Sequence, residues 1–247
     1  MKLSVILAAT AILTILPGTV PAVAGEAVVA VAANFYRTVE RIAAAFEIET
    51  GDEIVLVQGS TGKLYAQIVN GAPYDIFLSA DQARPARLFA EGLSGAPRTY
   101  AVGKLAYVFT KDSAPALDDL GTTPTRVALA DPAIAPYGVA SQQVLTRLRG
   151  ETGWNKDAVF GENVGQTYGF VVTGNATAGF VALSQVFGKG DAIRFTAVPE
   201  DWYTAIRQDG VITNRGSDNA VAASFMDFLG SGRAFEIIRK DGYGIPQ

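Results

Sequence analysis

The stretch Gln58-Gly59-Ser60-Thr61-Gly62-Lys63-Leu64-Tyr65-Ala66-Gln67-Ile68 reads as the end of a strand, a glycine- and hydroxyl-rich turn, and the opening of a helix. Two side-chain hydroxyls converge there with the unpaired N–H groups of a helix's first turn. Those groups carry a partial positive charge, so the turn suits a small anion. A nucleotide-binding loop is excluded: it needs glycine five residues before the Gly62-Lys63 pair and Ser or Thr after it, where this chain has Val57 and Leu64. Ser60 and Thr61 as plain helix caps remain the commoner use of such residues, and this stretch alone does not separate capping from binding.

On its amino side, residues 27–32 are a run of β-branched residues and alanines suited to a buried parallel strand. Asn34 then reads as the N-cap of a helix carrying Val39, Ile42, Ala43, Phe46 and Ile48, which stops at Gly51. Residues 53–57 form the strand that leads into the Ser60-Thr61 turn, and the helix after it closes at Asn70-Gly71. Asp75-Ile76-Phe77-Leu78 reads as a third strand, with Asp81 capping a helix through Leu88 and Phe89. Strands and helices alternating at these lengths predict a doubly wound sheet with right-handed crossovers. In such sheets ligands sit beyond the carboxyl ends of the strands, where Asn34 and the Ser60-Thr61 turn both fall.

Around residues 99–110 the texture changes, and the apolar strand Leu105-Ala106-Tyr107-Val108-Phe109, followed by a loop over 111–125, predicts passage into a second lobe. There Arg126-Val127-Ala128-Leu129 reads as a strand, Asp131-Pro132 as a turn, and Pro136-Tyr137-Gly138 as the approach to a helix carrying Val144, Leu145 and Leu148. Val159-Phe160 precedes a turn over residues 162–167, and residues 178–183, 193–198 and 203–206 read as further short strands. Helical spacing in Val221, Phe225, Phe228 and Leu229, and again over 235–239, returns the chain to the first lobe. The expected organisation is a signal peptide over 1–24, lobe I over 25–104 and 204–247, and lobe II over 105–203.

Composition narrows the function. Met1-Lys2, an apolar run from Leu3 to Leu16, and Ala22-Val23-Ala24 read as a secretory signal cleaved near Ala24. About 14 apolar residues are too few to span a bilayer, which needs ~20. The chain has no cysteine and no histidine, which removes a lipid-attachment cysteine, the usual transition-metal ligands and the commonest acid–base and thiol catalysts. Loss of Lys2 with the signal takes the formal charge from 20 − 24 = −4 to 19 − 24 = −5, and an acidic chain without basic clusters is a poor candidate for nucleic acid.

Four segments in this order resemble the periplasmic molybdate-binding proteins of ABC importers: Ala32-Ala33-Asn34, Gly59 to Leu64, Gly71-Ala72-Pro73-Tyr74-Asp75-Ile76-Phe77-Leu78-Ser79-Ala80-Asp81, and Asp131-Pro132 with Pro136-Tyr137-Gly138. The third segment is the most specific, and the likeness runs through Glu162-Asn163-Val164 to Tyr243-Gly244. The resemblance implies an α/β fold, the two-lobed periplasmic solute-binding fold of type II, each lobe a sheet flanked by helices with the ligand cleft between lobes. It implies molybdate or tungstate as ligand, no cofactor, no catalysis, an ABC permease as partner, a periplasmic location and a monomeric state. The implied ligand positions are Asn34 with Ala33 beside it, the Ser60-Thr61 pair with Thr61 the closer match, Tyr137, and Val164 through its backbone N–H. Ala182 stands where one branch of the family has a ligand tyrosine, with Asn34 and Tyr137 as compensation.

Physical argument favours such an uncharged shell, because each buried ion of a dianion–cation pair costs several kcal/mol to dehydrate. Lys63 is read as a solvated helix side chain. Asp75, Asp81 and Asp131 are read as caps and turns, since carboxylates repel an oxyanion. The competing readings are a sulfate or other oxyanion receptor of the same fold, and a secreted enzyme using Asp75 with Asp131.

Overall fold

The computed structural model describes residues 24–110, 114–187 and 193–246. The expected signal peptide therefore lies, apart from Ala24, outside the described residues. Two five-stranded sheets are built on one plan. In the first, β1 (Glu26–Ala32), β2 (Glu53–Gly59) and β3 (Ile76–Leu78) are parallel and ordered β2-β1-β3, and β10 (Ile206–Ile212) adds antiparallel to β3 with β4 (Arg98–Gly103) at the edge. In the second, β6 (Val127–Ala130), β7 (Ala158–Gly161) and β8 (Ala178–Ala182) are ordered β7-β6-β8, and β5 (Leu105–Phe109) adds antiparallel to β8 with β9 (Arg194–Ala197) at the edge. The first sheet thus takes its fourth strand, β10, from beyond the second crossing, whereas all five strands of the second sheet lie between the two crossings. The chain passes from sheet to sheet between Gly103 and Leu105, and back between Ala197 and Ile206.

Helices α1 (Tyr36–Thr50), α2 (Thr61–Val69) and α3 (Ala83–Ala90) belong to the first sheet's β-α units, and α6 (Ala220–Leu229) with α7 (Gly232–Lys240) close it at the chain's end. Helices α4 (Pro136–Arg149) and α5 (Val164–Val172) serve the second sheet. The apolar residues explain these layers. Val29, Val31, Phe35, Ile42 and Phe46 pack with Phe225 and Ile238 on one face of the first sheet, and Leu64, Ile68, Phe77 and Leu88 on the other. In the second sheet Tyr107, Leu129, Val144 and Phe180 form one core, which also takes in Ala32 from the first sheet and Ala33 and Ala80 from the turns that leave it. The two lobes are therefore in contact through apolar atoms as well as hydrogen bonds.

Several expectations are corrected. Asn34 does not cap α1, which begins after Phe35 with no side-chain cap bond, because its amide is engaged by partners far along the chain. Ile48 and Phe89 lie on solvent faces of their helices, at 82% and 52% exposure, so the core stripes are narrower than the spacing predicted. Residues 164–172 are helix rather than a turn running on, since Asn163 accepts from the N–H groups of Gly165 and Gln166 and starts α5 there. Residues 203–205 are no strand, and β10 begins at Ile206. Asp81 stands one residue before the N-cap position of α3, Gln82, whose side chain makes no cap bond, and its carboxylate accepts from Arg84 N–H in the first turn at 3.1 Å.

Candidate functional site

The shared plan places the carboxyl ends of four strands face to face, and the site is made of the turns that leave them. After β1, Ala33 N–H donates to Gly59 O (3.0 Å) and Phe35 N–H to Ala32 O (2.9 Å), which folds Asn34 back over the strand end. After β2, the Ser60 hydroxyl accepts from Lys63 N–H and caps α2. After β6, the Asp131 carboxylate accepts from Ala133 N–H (2.9 Å), and Pro136 occupies the first position of α4, where no N–H is needed. Gly138 allows α4 to press on the end of β6: a Cβ there would stand 2.2 Å from the Ala130 carbonyl oxygen. After β7, Asn163 caps α5.

Ala33, Asn34, Ser60, Thr61, Tyr137 and Val164 line one cavity, with Ala32, Ala80, Ala135, Pro136 and Asn163 completing it. It is small, about 10 Å³. All six residues singled out from the sequence are thus together, two turns from each lobe. The lobes also touch directly at this level, since Gly62 N–H donates to Ile134 O at 2.9 Å.

Several groups in the site keep hydrogen-bond donors free for a guest. A hydroxyl carries one proton, and its lone pairs can be filled independently. Thr61 Oγ1 accepts from Ala80 N–H (3.1 Å), Ser60 Oγ from Lys63 N–H (3.4 Å), and Tyr137 OH from Gln208 Nε2 (3.3 Å). None of the three hydroxyls has a protein acceptor for its own proton among the described residues. The backbone N–H groups of Asn34, Thr61, Tyr137 and Val164 likewise have no acceptor there, while the next donors along α2 and α5 are already committed. Ala33 lines the cavity but its N–H is spent on Gly59. The site is a shell of unspent donors, four of them at or beside helix amino ends with their partial positive charge.

No carboxylate lines this cavity. Asp75 is held at the amino end of β3 by Val28 N–H (2.8 Å), away from the strand ends that carry the site. Asp131 is used within its own turn, and Asp81 pairs with Arg84. Among the described residues no group of three metal-ligating side chains gathers. Lys63, read from the sequence as solvated, forms an ion pair with Glu162 of the opposite lobe at 2.7 Å. Both side chains are about half exposed, so screening leaves that pair a contribution of roughly 0–1 kcal/mol.

Burial pushes Tyr137 well above the ordinary tyrosine range, with the neighbouring tyrosines adding to the rise, so its hydroxyl keeps its proton. Affinity for a fully deprotonated oxyanion is therefore expected to stay flat, within about twofold, from roughly pH 6.5 to 9, since no donor titrates there. Calorimetry across that range checks it, and a bell-shaped profile centred near neutrality would refute it. The folded protein also holds this proton more tightly than the unfolded chain. The associated stability is complete below the unfolded value of about 10 and is lost as the pH rises beyond it.

Gln208 was not anticipated. It is fully buried on β10, and its Oε1 accepts from Asn34 Nδ2 (2.9 Å) and Tyr100 OH (3.0 Å) while its Nε2 donates to Tyr137 OH. One amide thus ties the Asn34 turn of one lobe to the tyrosine of the other. Gly103 makes room for the junction: a Cβ there would lie 2.1 Å from Tyr137 OH and 2.6 Å from Gln208 Nε2. Gly103→Ala should displace the tyrosine at a cost of about 1–3 kcal/mol and weaken ligand binding about tenfold. Calorimetry and a thermal melt check both, and undiminished affinity would mean that the Tyr137 hydroxyl serves no ligand. Ala182 is fully buried, its N–H donates to Gln185 Oε1 (3.1 Å), and it does not line the cavity.

Two lobes joined by two short crossings, meeting around unspent and uncharged donors, are the construction of a solute-binding protein. The family described as bacterial extracellular solute-binding protein matches residues 27–244. The molybdate-binding protein ModA of Rhodobacter capsulatus is 42% identical over 241 residues, covering 95% of this chain and 94% of that protein. The protein of the same name from Azotobacter vinelandii is 42% identical over 231 residues, covering 90% and 91%. The solved Azotobacter vinelandii periplasmic molybdate-binding protein superposes with a TM-score of 0.81 at 38% identity, over 90% of this chain and 100% of that one. The chain belongs to the bacterial extracellular solute-binding proteins, in their ModA molybdate-binding family.

Proposed function

We propose that this protein is a periplasmic receptor that closes its lobes on molybdate or tungstate and delivers it to an ABC importer, acting as a binder and not as an enzyme. The observation that carries the reading is the set of free donors: the Ser60, Thr61 and Tyr137 hydroxyls each accept one hydrogen bond and keep their protons unspent among the described residues, beside four unspent backbone N–H groups. A fully deprotonated tetrahedral anion supplies acceptors in several directions at once. An anion that carries a proton would leave that proton without an acceptor. Hydrogen bonds to a charged group contribute about 1.5–3 kcal/mol each, part of which offsets desolvation. Four to seven of them support a net binding free energy of about −8 to −12 kcal/mol, in the micromolar to nanomolar range.

In this reading residues 25–104 with 204–247 form one lobe and 105–203 the other, and the two crossings are the hinge on which they close. The ligand-binding set is Asn34, Ser60, Thr61, Tyr137 and Val164, with Ala33 as wall. No cofactor enters. The signal segment at residues 1–24 directs export, and the partner is the membrane permease. The relatives' names support molybdate over sulfate. Calorimetry of the mature protein against molybdate, tungstate, sulfate and phosphate at equal concentration tests this. Molybdate and tungstate should bind with sub-micromolar affinity and raise the melting temperature by mass action. Strong binding confined to sulfate would replace the assignment.

A further inference from the structure

Next to the donor shell lies a second set of hydrogen bonds that joins the lobes, of whose members only Asn34 lines the cavity. Tyr243, near the end of the chain, donates its hydroxyl proton to Asn34 O at 2.6 Å. Its oxygen accepts from Asn34 Nδ2 (3.2 Å) and from Ser184 Oγ (2.9 Å). Ser184 also lies 3.2 Å from Asn34 O. Each hydroxyl has one proton, and the assignment that uses every short contact sends the tyrosine proton to Asn34 O and the serine proton to the tyrosine oxygen. Both lone pairs of Tyr243 are then filled. Tyr243 and Asn34 belong to the first sheet's lobe, and Ser184, in the turn Leu183–Gln185 after β8, is the member from the other.

The surroundings fix Tyr243 so that only Ser184 is free to come and go. Its ring packs edge-on against Phe35 with centroids 5.3 Å apart, and Gly244 exchanges backbone hydrogen bonds with Val102 at 2.8 and 2.9 Å. Asp241, two residues earlier, is held by Thr38 and Arg41 of α1. Gly242 faces Leu183 and Phe187 of the opposite lobe, where even a Cβ would approach the Phe187 ring to 3.4 Å. Burial raises the Tyr243 hydroxyl well above the ordinary range, so it remains a donor at any physiological pH.

We infer that Ser184 and Tyr243 are positioning residues forming a latch: lobe closure brings the Ser184 hydroxyl onto Tyr243, which clamps the Asn34 carbonyl and so fixes the turn whose N–H faces the guest. This deepens the proposed receptor function and rests on it. The latch acts on the closed form alone, so its loss speeds opening and leaves encounter untouched. Nothing in it touches the ligand. Ser184 stands two residues beyond Ala182, so the segment after β8, which offers no ligand side chain here, contributes through closure instead.

The test is stopped-flow binding of molybdate to the full mature protein, with small-angle scattering of the same samples with and without ligand. Ser184→Ala and Tyr243→Phe, which keeps the ring on Phe35, should each raise the dissociation rate about tenfold, leave the association rate within twofold, and lower the closed fraction seen by scattering. Ser184→Thr should restore both. Unchanged dissociation and scattering in the two variants would overturn the latch. So would a loss carried in the association rate, or one accompanied by an equal fall in ligand-free melting temperature and not restored by threonine. If the unsubstituted protein binds no molybdate, the receptor assignment fails. Ligand-free scattering then still decides whether Ser184 biases closure.

Discussion

Replacing Thr61 with alanine is expected to weaken oxyanion binding by about 1.5–3 kcal/mol, roughly 10- to 150-fold, and to lower the stability of the ligand-free protein as well. The two effects come from the two sides of one oxygen. Its proton has no protein acceptor among the described residues and is the part offered to the anion, where a hydrogen bond to a charged group has that magnitude. Its lone pair accepts from Ala80 N–H at 3.1 Å, and Thr61 is only 1% exposed. Removing the oxygen orphans a buried N–H, which costs about 1–3 kcal/mol in either ligation state and so appears in the melt rather than in the affinity. Thr61→Ser keeps the oxygen and should recover most of both. Calorimetry with a parallel thermal melt separates them. Full affinity in the alanine variant would remove Thr61 from the site.

The resolution between those two losses matters because the sequence could not supply it. Ser60 and Thr61 were legible as polar residues at a strand-to-helix turn, which is a local pattern. Whether a hydroxyl there is spent on capping or left over for a guest depends on its partners. Ser60 does both: it accepts from Lys63 N–H, three residues on, and keeps its proton. For Thr61 the deciding partner is Ala80, 19 residues away. Capping and binding were therefore not rival uses of these side chains, since they occupy opposite ends of the same O–H group.

Longer-range relations were legible only in outline. The β-α units up to Leu88 follow from periodicity and turn residues because each closes on its own neighbours. Asn34 was misread as a cap, since its amide is claimed by Gln208 and Tyr243, 174 and 209 residues away. The strand β10 was not recognised over its length because Arg207, Gln208 and Asp209 interrupt any apolar pattern, and its register shifts at a bulge between the last two. Gln208 is nonetheless fully buried. A buried amide that serves both lobes carries no signature in its own neighbourhood. Lys63 likewise found an ion partner in the opposite lobe that its helix gave no hint of.

Val164→Pro provides the cleaner test of the backbone donors. A substitution elsewhere in the chain usually leaves the N–H in place, so side-chain scanning is blind to it. Val164 is the first residue of α5, the one helical position where proline is favoured and where its missing N–H breaks no intrahelical bond. Asn163 before it is extended, with φ −156° and ψ 172°, in the broad region that a residue preceding proline prefers. The cap is independent of the change, because Asn163 Oδ1 accepts from Gly165 and Gln166 and its carbonyl accepts from Thr167. The folded state should therefore keep α5 while losing one donor to the anion. Affinity is expected to fall by about 1.5–3 kcal/mol, with the ligand-free melting temperature lowered no further than in Val164→Ala. Val164→Ala thins the same core, around a residue that is 3% exposed, but leaves the N–H and the affinity intact. If proline binds as well as valine, the amino end of α5 is not part of the anion's shell, and the helix dipole there acts at a distance if at all.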